Sequence, residues 1–121
     1  MSQLLSLEIG DLPPTVNMMY RNGKYSRYKR SEVEEWQSYV SGQMREQWGK
    51  DRPYLGEVEV RVQFITGTKR KWDVDNRLKA LLDCLQMAGV IKDDSQISGL
   101  QASRKAGETS CTQIEVRRWD M

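Results

Sequence analysis

The sequence predicts an α+β domain: one mixed β-sheet with two main helices packed on it, in the order β-α-β-α-β-β. Three patterns lead there. Val58, Val60, Val62 and Phe64 alternate with polar residues over 57–65, as in a strand with one buried face. Two longer segments repeat their apolar residues at helical spacing instead. Strand-like runs bounded by turn residues open and close the chain.

Residues 4–9 (LLSLEI) form the first strand, ended by Gly10-Asp11. Leu12-Pro13-Pro14 can continue neither a helix nor a central strand, so a loop follows, running through Asn17 to the tight turn expected at Asn22-Gly23. Ser31 with Glu34 fits a capping box and is expected to begin the first helix. Val33, Trp36, Tyr39, Val40, Met44 and Trp48 then give it one apolar face up to Gly49, with Trp36 and Trp48 read as core. After the 57–65 strand, a second helix is expected over 74–88. Leu78, Leu81, Leu82, Leu85 and Ala88 form its stripe, and Gly89 suits the position just past its end. Residues 96–103 and 112–118 are the last strands, joined by Lys105-Ala106-Gly107-Glu108. No repeat, linker or low-complexity tract interrupts the 121 residues, so residues 1–121 read as a single domain.

Composition narrows the chemistry. With 38% apolar and 30% charged residues the chain is globular rather than disordered, and its net charge of +2 neither demands nor excludes nucleic acid. Histidine is absent, which removes Ser-His and Cys-His catalysis, His-ligated zinc and any imidazole base. Enzymatic chemistry would have to come from Asp, Glu, Lys, Arg or a metal they hold. Cys84 and Cys111 lie far apart, with no metal-type spacing, and are expected as packing or turn residues without a redox role. There is no signal-peptide pattern and no membrane-spanning apolar run, so the expectation is a soluble cytoplasmic protein with no membrane partner.

The most informative segment is Trp72-Asp73-Val74-Asp75-Asn76, followed by Lys79 and then Asp93-Asp94. Asp73 and Asp75 fall where a basic loop becomes the second helix. Two residues apart in extended geometry, their carboxylates would point the same way and could share one cation. Carboxylate oxygens suit Mg²⁺, which keeps waters able to bridge to phosphates, and a bound water with a lowered pKa would supply a nucleophile. The plainer alternative is that either Asp caps the helix, although a cap requires only one carboxylate. Lys79 stands one turn after Asp75 and one turn before Asp83, either as part of an ordinary ion-pair ladder or as a charge for a phosphate in the transition state.

These residues resemble a known family. Asp73-Val-Asp75-Asn76-x-x-Lys79, then Asp83, then Ala88-Gly89-Val-Ile-x-Asp93-Asp94, is similar to the core motif of RusA-type Holliday junction resolvases. The Pro13-Pro14-x-x-Asn17 loop resembles theirs too, and brings Asn17 among the expected DNA contacts. The resemblance covers nearly the whole chain. It implies a homodimeric endodeoxyribonuclease that resolves four-way DNA junctions by paired nicks with Mg²⁺, Mn²⁺ being the substitute ion. It places the essential aspartates on Asp73, Asp75 and Asp94 and the functional lysine on Lys79. Trp72 departs from the pattern, since relatives can carry a basic residue there.

Two basic blocks fit a DNA partner. YRNGKYSRYKR, residues 20–30, carries Arg21, Lys24, Arg27, Lys29 and Arg30 with three tyrosines and no acid, and is expected as a loop that orders on DNA. Lys69-Arg70-Lys71 directly precedes the aspartates. Charge runs are often just solvated loops, but both of these flank the candidate site. Two other readings stay open: a DNA-binding protein without cleavage, and a metal nuclease acting on other branched or single-stranded nucleic acid.

One geometric expectation concerns the dimer. A continuous helix over 74–88 would span about 22 Å, with Asp75 at its start and Asp94 six residues past its end. Within one chain, Asp94 would have to fold straight back along the helix. A two-fold axis near the helix midpoint would instead bring Asp94 of one subunit to Asp73 and Asp75 of the other.

Overall fold

The computed structural model describes residues 3–14, 24–67 and 74–120, with the backbone alone at 24–30, 75 and 76. Its elements are β1 (Gln3–Ile9), α1 (Lys24–Trp48), β2 (Val58–Thr66), α2 (Asp75–Met87), a 3-10 turn (Asp94–Gln96), β3 (Ile97–Ala106) and β4 (Cys111–Arg118). Both the predicted class and the predicted order hold. The strands form one mixed sheet in the order β1-β4-β2-β3. β4 pairs antiparallel with β1 on one side and β2 on the other. β2 and β3 run parallel, because α2 must carry the chain back before β3 can begin.

The alternation seen in the sequence becomes the core. Val58, Val60, Val62 and Phe64 of β2 are buried, joined by Leu5 and Ile9 of β1 and Ile114 and Val116 of β4. The register places Val60 opposite Val116 and Val62 opposite Ile114, so one face of the central pair is continuous hydrocarbon. Leu81, Leu85, Val40, Met44 and Trp48 join this cluster from the helices. The opposite face of the sheet is polar, an open depression lined by side chains such as Glu8, Arg61, Gln63, Gln113 and Glu115.

The helices differ from expectation in two places. α1 begins at Lys24, not at Ser31, so Ser31 lies inside the helix and caps nothing. The capping-box pattern at Ser31 and Glu34 would place residues 24–30 in the preceding loop. Their lysines and arginines are nonetheless good helix formers, and no Gly or Pro interrupts them after Gly23. The inward face also turns away from Tyr39, which is 64% exposed, and passes through Gln37 and Ser41 instead. Gln37 is tolerated there because its amide Nε2 donates to the Ala80 carbonyl of α2 at 3.1 Å, and Ser41 donates back to the Ser38 carbonyl.

α2 ends as its glycine predicts. Gly89 takes φ +76°, and the amides of Ala88, Gly89 and Val90 close onto the carbonyls of Cys84, Gln86 and Leu85.

Candidate active site

α2 begins at the second of the paired aspartates singled out in the sequence. Val74 has helical dihedrals (φ −58°, ψ −42°) with no side-chain cap, and Asp75 is the first residue of the helix. Two expectations change as a result. Asp75 is not the helix cap, which removes the plainer explanation for that residue. The extended backbone expected at Val74 does not hold either, since its dihedrals are helical. Asp73 lies outside the described residues.

A residue that the sequence reading passed over fixes this end of the helix. Arg77 Nη1 donates to the Pro13 carbonyl at 2.6 Å. Burial pulls the Arg77 pKa down, and the nearby Asp11 carboxylate opposes that shift. The loop after β1 is thereby pinned to the first turn of α2, which joins the Pro13-Pro14 segment to the Asp75 segment across 64 residues of sequence.

The third aspartate arrives from the other direction. After Gly89 the chain doubles back, held by the Tyr54 amide donating to the Val90 carbonyl at 2.8 Å and by a bridge between Tyr54 and Ile91. The short turn Asp94–Gln96 follows, with an extended Asp93 as its N-cap. Asp94 is exposed and opens onto a depression shared with Leu78, Lys79, Leu82, Asp83 and Leu100. The sharp return that was expected to be an obstacle does occur, because Gly89 reverses the chain within a few residues. Asp94 therefore lies beside the second and third turns of α2, between about 6 and 12 Å along the axis from Asp75 at about 1.5 Å per residue. Lys79 Nζ pairs with Asp83 Oδ1 at 3.6 Å on the rim of that depression.

The two neighbouring aspartates are not equivalent. Ser95 Oγ donates to Asp93 Oδ2 at 2.6 Å, and Asp93 with Gln96 closes a capping box around the turn. The Ser95 hydroxyl, helped by nearby backbone amides, holds the Asp93 carboxyl below the usual range. Asp93 thus serves the turn. The Asp-x-x-Gln spacing that reveals this is present in the sequence, where the pair reads simply as two acids.

The other candidates fall unevenly. Asn17, Arg21, Lys69, Arg70 and Lys71 lie outside the described residues. Lys24, Arg27, Lys29 and Arg30 fall on the first two turns of α1, whose first turn holds no acid. Among the described residues no three His, Cys, Asp or Glu side chains gather as a metal site, the side chain of Asp75 not being among them.

Comparison with known proteins decides what this arrangement belongs to. The model of the Endodeoxyribonuclease RusA family matches residues 11–117. The Crossover junction endodeoxyribonuclease RusA of Aquifex aeolicus (strain VF5) is 32% identical over 102 residues, covering 84% of this chain and 80% of the relative. The chain belongs to the RusA family of endodeoxyribonucleases. As a RusA-family nuclease it has an all-oxygen candidate donor set at α2 and the Asp94 turn, and no imidazole anywhere in the chain. Its thiols are poor nucleophiles. Burial, reinforced by Asp83, pushes Cys84 up to about 12, and burial with Glu8 raises Cys111. No described helix is long and apolar enough to cross a membrane.

Proposed function

We propose that this RusA-family nuclease resolves four-way DNA junctions by paired nicks, acting as a cytoplasmic homodimer with Mg²⁺ held by Asp73, Asp75 and Asp94. The observation that carries this reading is Asp94, an exposed carboxylate turned back beside Lys79 on the helix that Asp75 begins. The donor set is carboxylate throughout, which suits a hard cation that prefers oxygen. When bound, the ion would lower the pKa of a coordinated water and draw charge from the scissile phosphate.

The chain's own residues do the remainder. Asp73, Asp75 and Asp94 set the position of the ion, Arg77 holds the start of α2, and Lys79 faces the developing charge on the phosphate. DNA is held by Asn17, Arg21, Lys24, Arg27, Lys29, Arg30, Lys69, Arg70 and Lys71, all of them cationic except Asn17. Four of these cations lie along the first two turns of α1, whose N-terminus itself favours anions.

The test is a nicking assay on a synthetic four-way junction beside a flap and a linear duplex. Wild type with Mg²⁺ should cut the junction in preference to the other two, while EDTA or Asp75→Asn should abolish cutting without abolishing binding. Preferred cutting of the flap would move the substrate class. Full activity of Asp75→Asn would end the metal assignment.

A further inference from the structure

The Asp94 turn is short, exposed and without a buried residue of its own, yet a metal ligand must be held to within a fraction of an ångström. One side chain accounts for its fixity. Gln96 Oε1 accepts the amides of Lys92 at 2.7 Å and Asp93 at 3.0 Å, while its Nε2 donates to the carbonyls of Tyr54 at 2.7 Å and Gly56 at 2.9 Å. A primary amide has two donor hydrogens and two acceptor lone pairs, and all four are used here on backbone groups of two separate segments. The orientation of the amide is set by chemistry as well, since two N–H groups face one end and two carbonyls the other.

These four bonds form a clamp. One end gathers the backbone immediately before Asp94, and the other fastens it to residues 54–56, more than thirty positions upstream. That upstream segment is anchored in turn by the Tyr54 amide on Val90 and by its bridge to Ile91. Asp93, the other half of the capping box, keeps its carboxylate on the turn through Ser95. Gln96 does not line the depression, and its side chain bonds to backbone groups on both sides, so it would act through the backbone that carries Asp94.

We infer that Gln96 is the positioning residue for Asp94, fixing that carboxylate for the divalent cation by clamping residues 92–93 to residues 54–56. The inference rests on the proposed metal role of Asp94. Losing a group that orients a ligand typically costs 10- to 100-fold in metal affinity. Gln96→Met keeps the length and removes every one of the four hydrogen bonds. Ser98→Ala is the control, because Ser98 Oγ donates to Glu57 Oε1 at 2.7 Å and so ties neighbouring parts of the same two segments without touching the Asp94 backbone.

Mn²⁺ binding measured by calorimetry or electron paramagnetic resonance, without DNA, reads the effect directly. Gln96→Met should weaken Mn²⁺ at least 10-fold, raise the Mg²⁺ concentration needed for half-maximal cutting by a similar factor, and recover rate at high Mg²⁺. Ser98→Ala should bind as wild type. Asp94→Asn separates the two layers. If it leaves Mn²⁺ affinity unchanged, the metal role of Asp94 fails; if it abolishes binding while folded Gln96→Met binds normally, the positioning role fails. Should Gln96→Met not fold, amide hydrogen exchange on wild type decides instead. The Lys92 and Asp93 amides, on exposed residues, should be protected, and exchange at the rate of free loop amides would overturn the clamp.

Discussion

Gln37 reaches across from α1 to the carbonyl of Ala80 on α2, a buried hydrogen bond of 3.1 Å between the two helices. Cys84 adds to the same contact, its Sγ lying 3.3 Å from the Ala80 carbonyl and 3.8 Å from that of Gln37. The polar pair fixes the register of the two helices, and α2 carries the candidate site.

Gln37→Ala should therefore destabilise the fold by about 1–3 kcal/mol, from lost packing and a lost buried hydrogen bond. Gln37→Leu, which refills the volume, should cost less. Urea unfolding of the two variants beside wild type measures both.

Lys79 tests chemistry against scaffolding. Its pair with Asp83 is half exposed and is worth at most about 0.5 kcal/mol, so neither Lys79→Ala nor Asp83→Asn should move the melting temperature appreciably. Lys79→Ala should nonetheless cut kcat on a four-way junction by about 100-fold or more, through loss of charge stabilisation in the transition state, whereas Asp83→Asn should cut near wild-type rates. Equal, small effects from the two variants would reduce Lys79 to a surface ion pair.

The basic block before the acids sets a salt dependence. Changing Lys69, Arg70 and Lys71 together to Ala should weaken junction binding and flatten its dependence on salt concentration by up to about three units of slope. Binding isotherms over a salt series supply the slope, and an unchanged value would argue against phosphate contact there.

Mixed subunits address how the three aspartates meet. In one chain Asp94 sits beside Lys79 and Asp83, one to two turns along α2 from Asp75. Mixing Asp75→Asn with Asp94→Asn subunits should restore about a quarter of the wild-type sites, since half of the dimers are mixed and each mixed dimer holds one intact site. No recovery would place all three aspartates within a single chain.

The Cys84 thiol predicts a loss of stability at high pH. Burial raises it to about 12 in the folded protein, while the unfolded thiol ionises near its ordinary value of about 8.5. Above that value the unfolded state sheds a proton that the folded state keeps. Stability therefore falls as pH rises between about 8.5 and 12, by up to about 1.4 kcal/mol per pH unit from this group. Comparing denaturation of wild type and Cys84→Ala across that range isolates the contribution, which the variant should lack.

The sequence by itself determined the α+β class, the order of elements, the buried face of β2 and the glycine that ends α2, and it supplied the acids proposed to carry the chemistry. All of these are local: alternation, helical spacing and turn chemistry act within a few residues, and Val58 to Phe64 or Leu78 to Ala88 declare themselves without knowledge of their neighbours. Tertiary structure decided the remainder. Only packing shows that Gln37 faces inward while Tyr39 does not, because an inward amide requires the Ala80 carbonyl, which lies 43 residues away. Helix α1 extends back to Lys24 although its first turns carry no apolar signal to announce it. Asp93 and Asp94 read alike in the chain, yet the fold makes one a cap and leaves the other facing Lys79. Gln96 looked like any polar residue before a strand, since its four partners come from two segments that only the folded chain brings together.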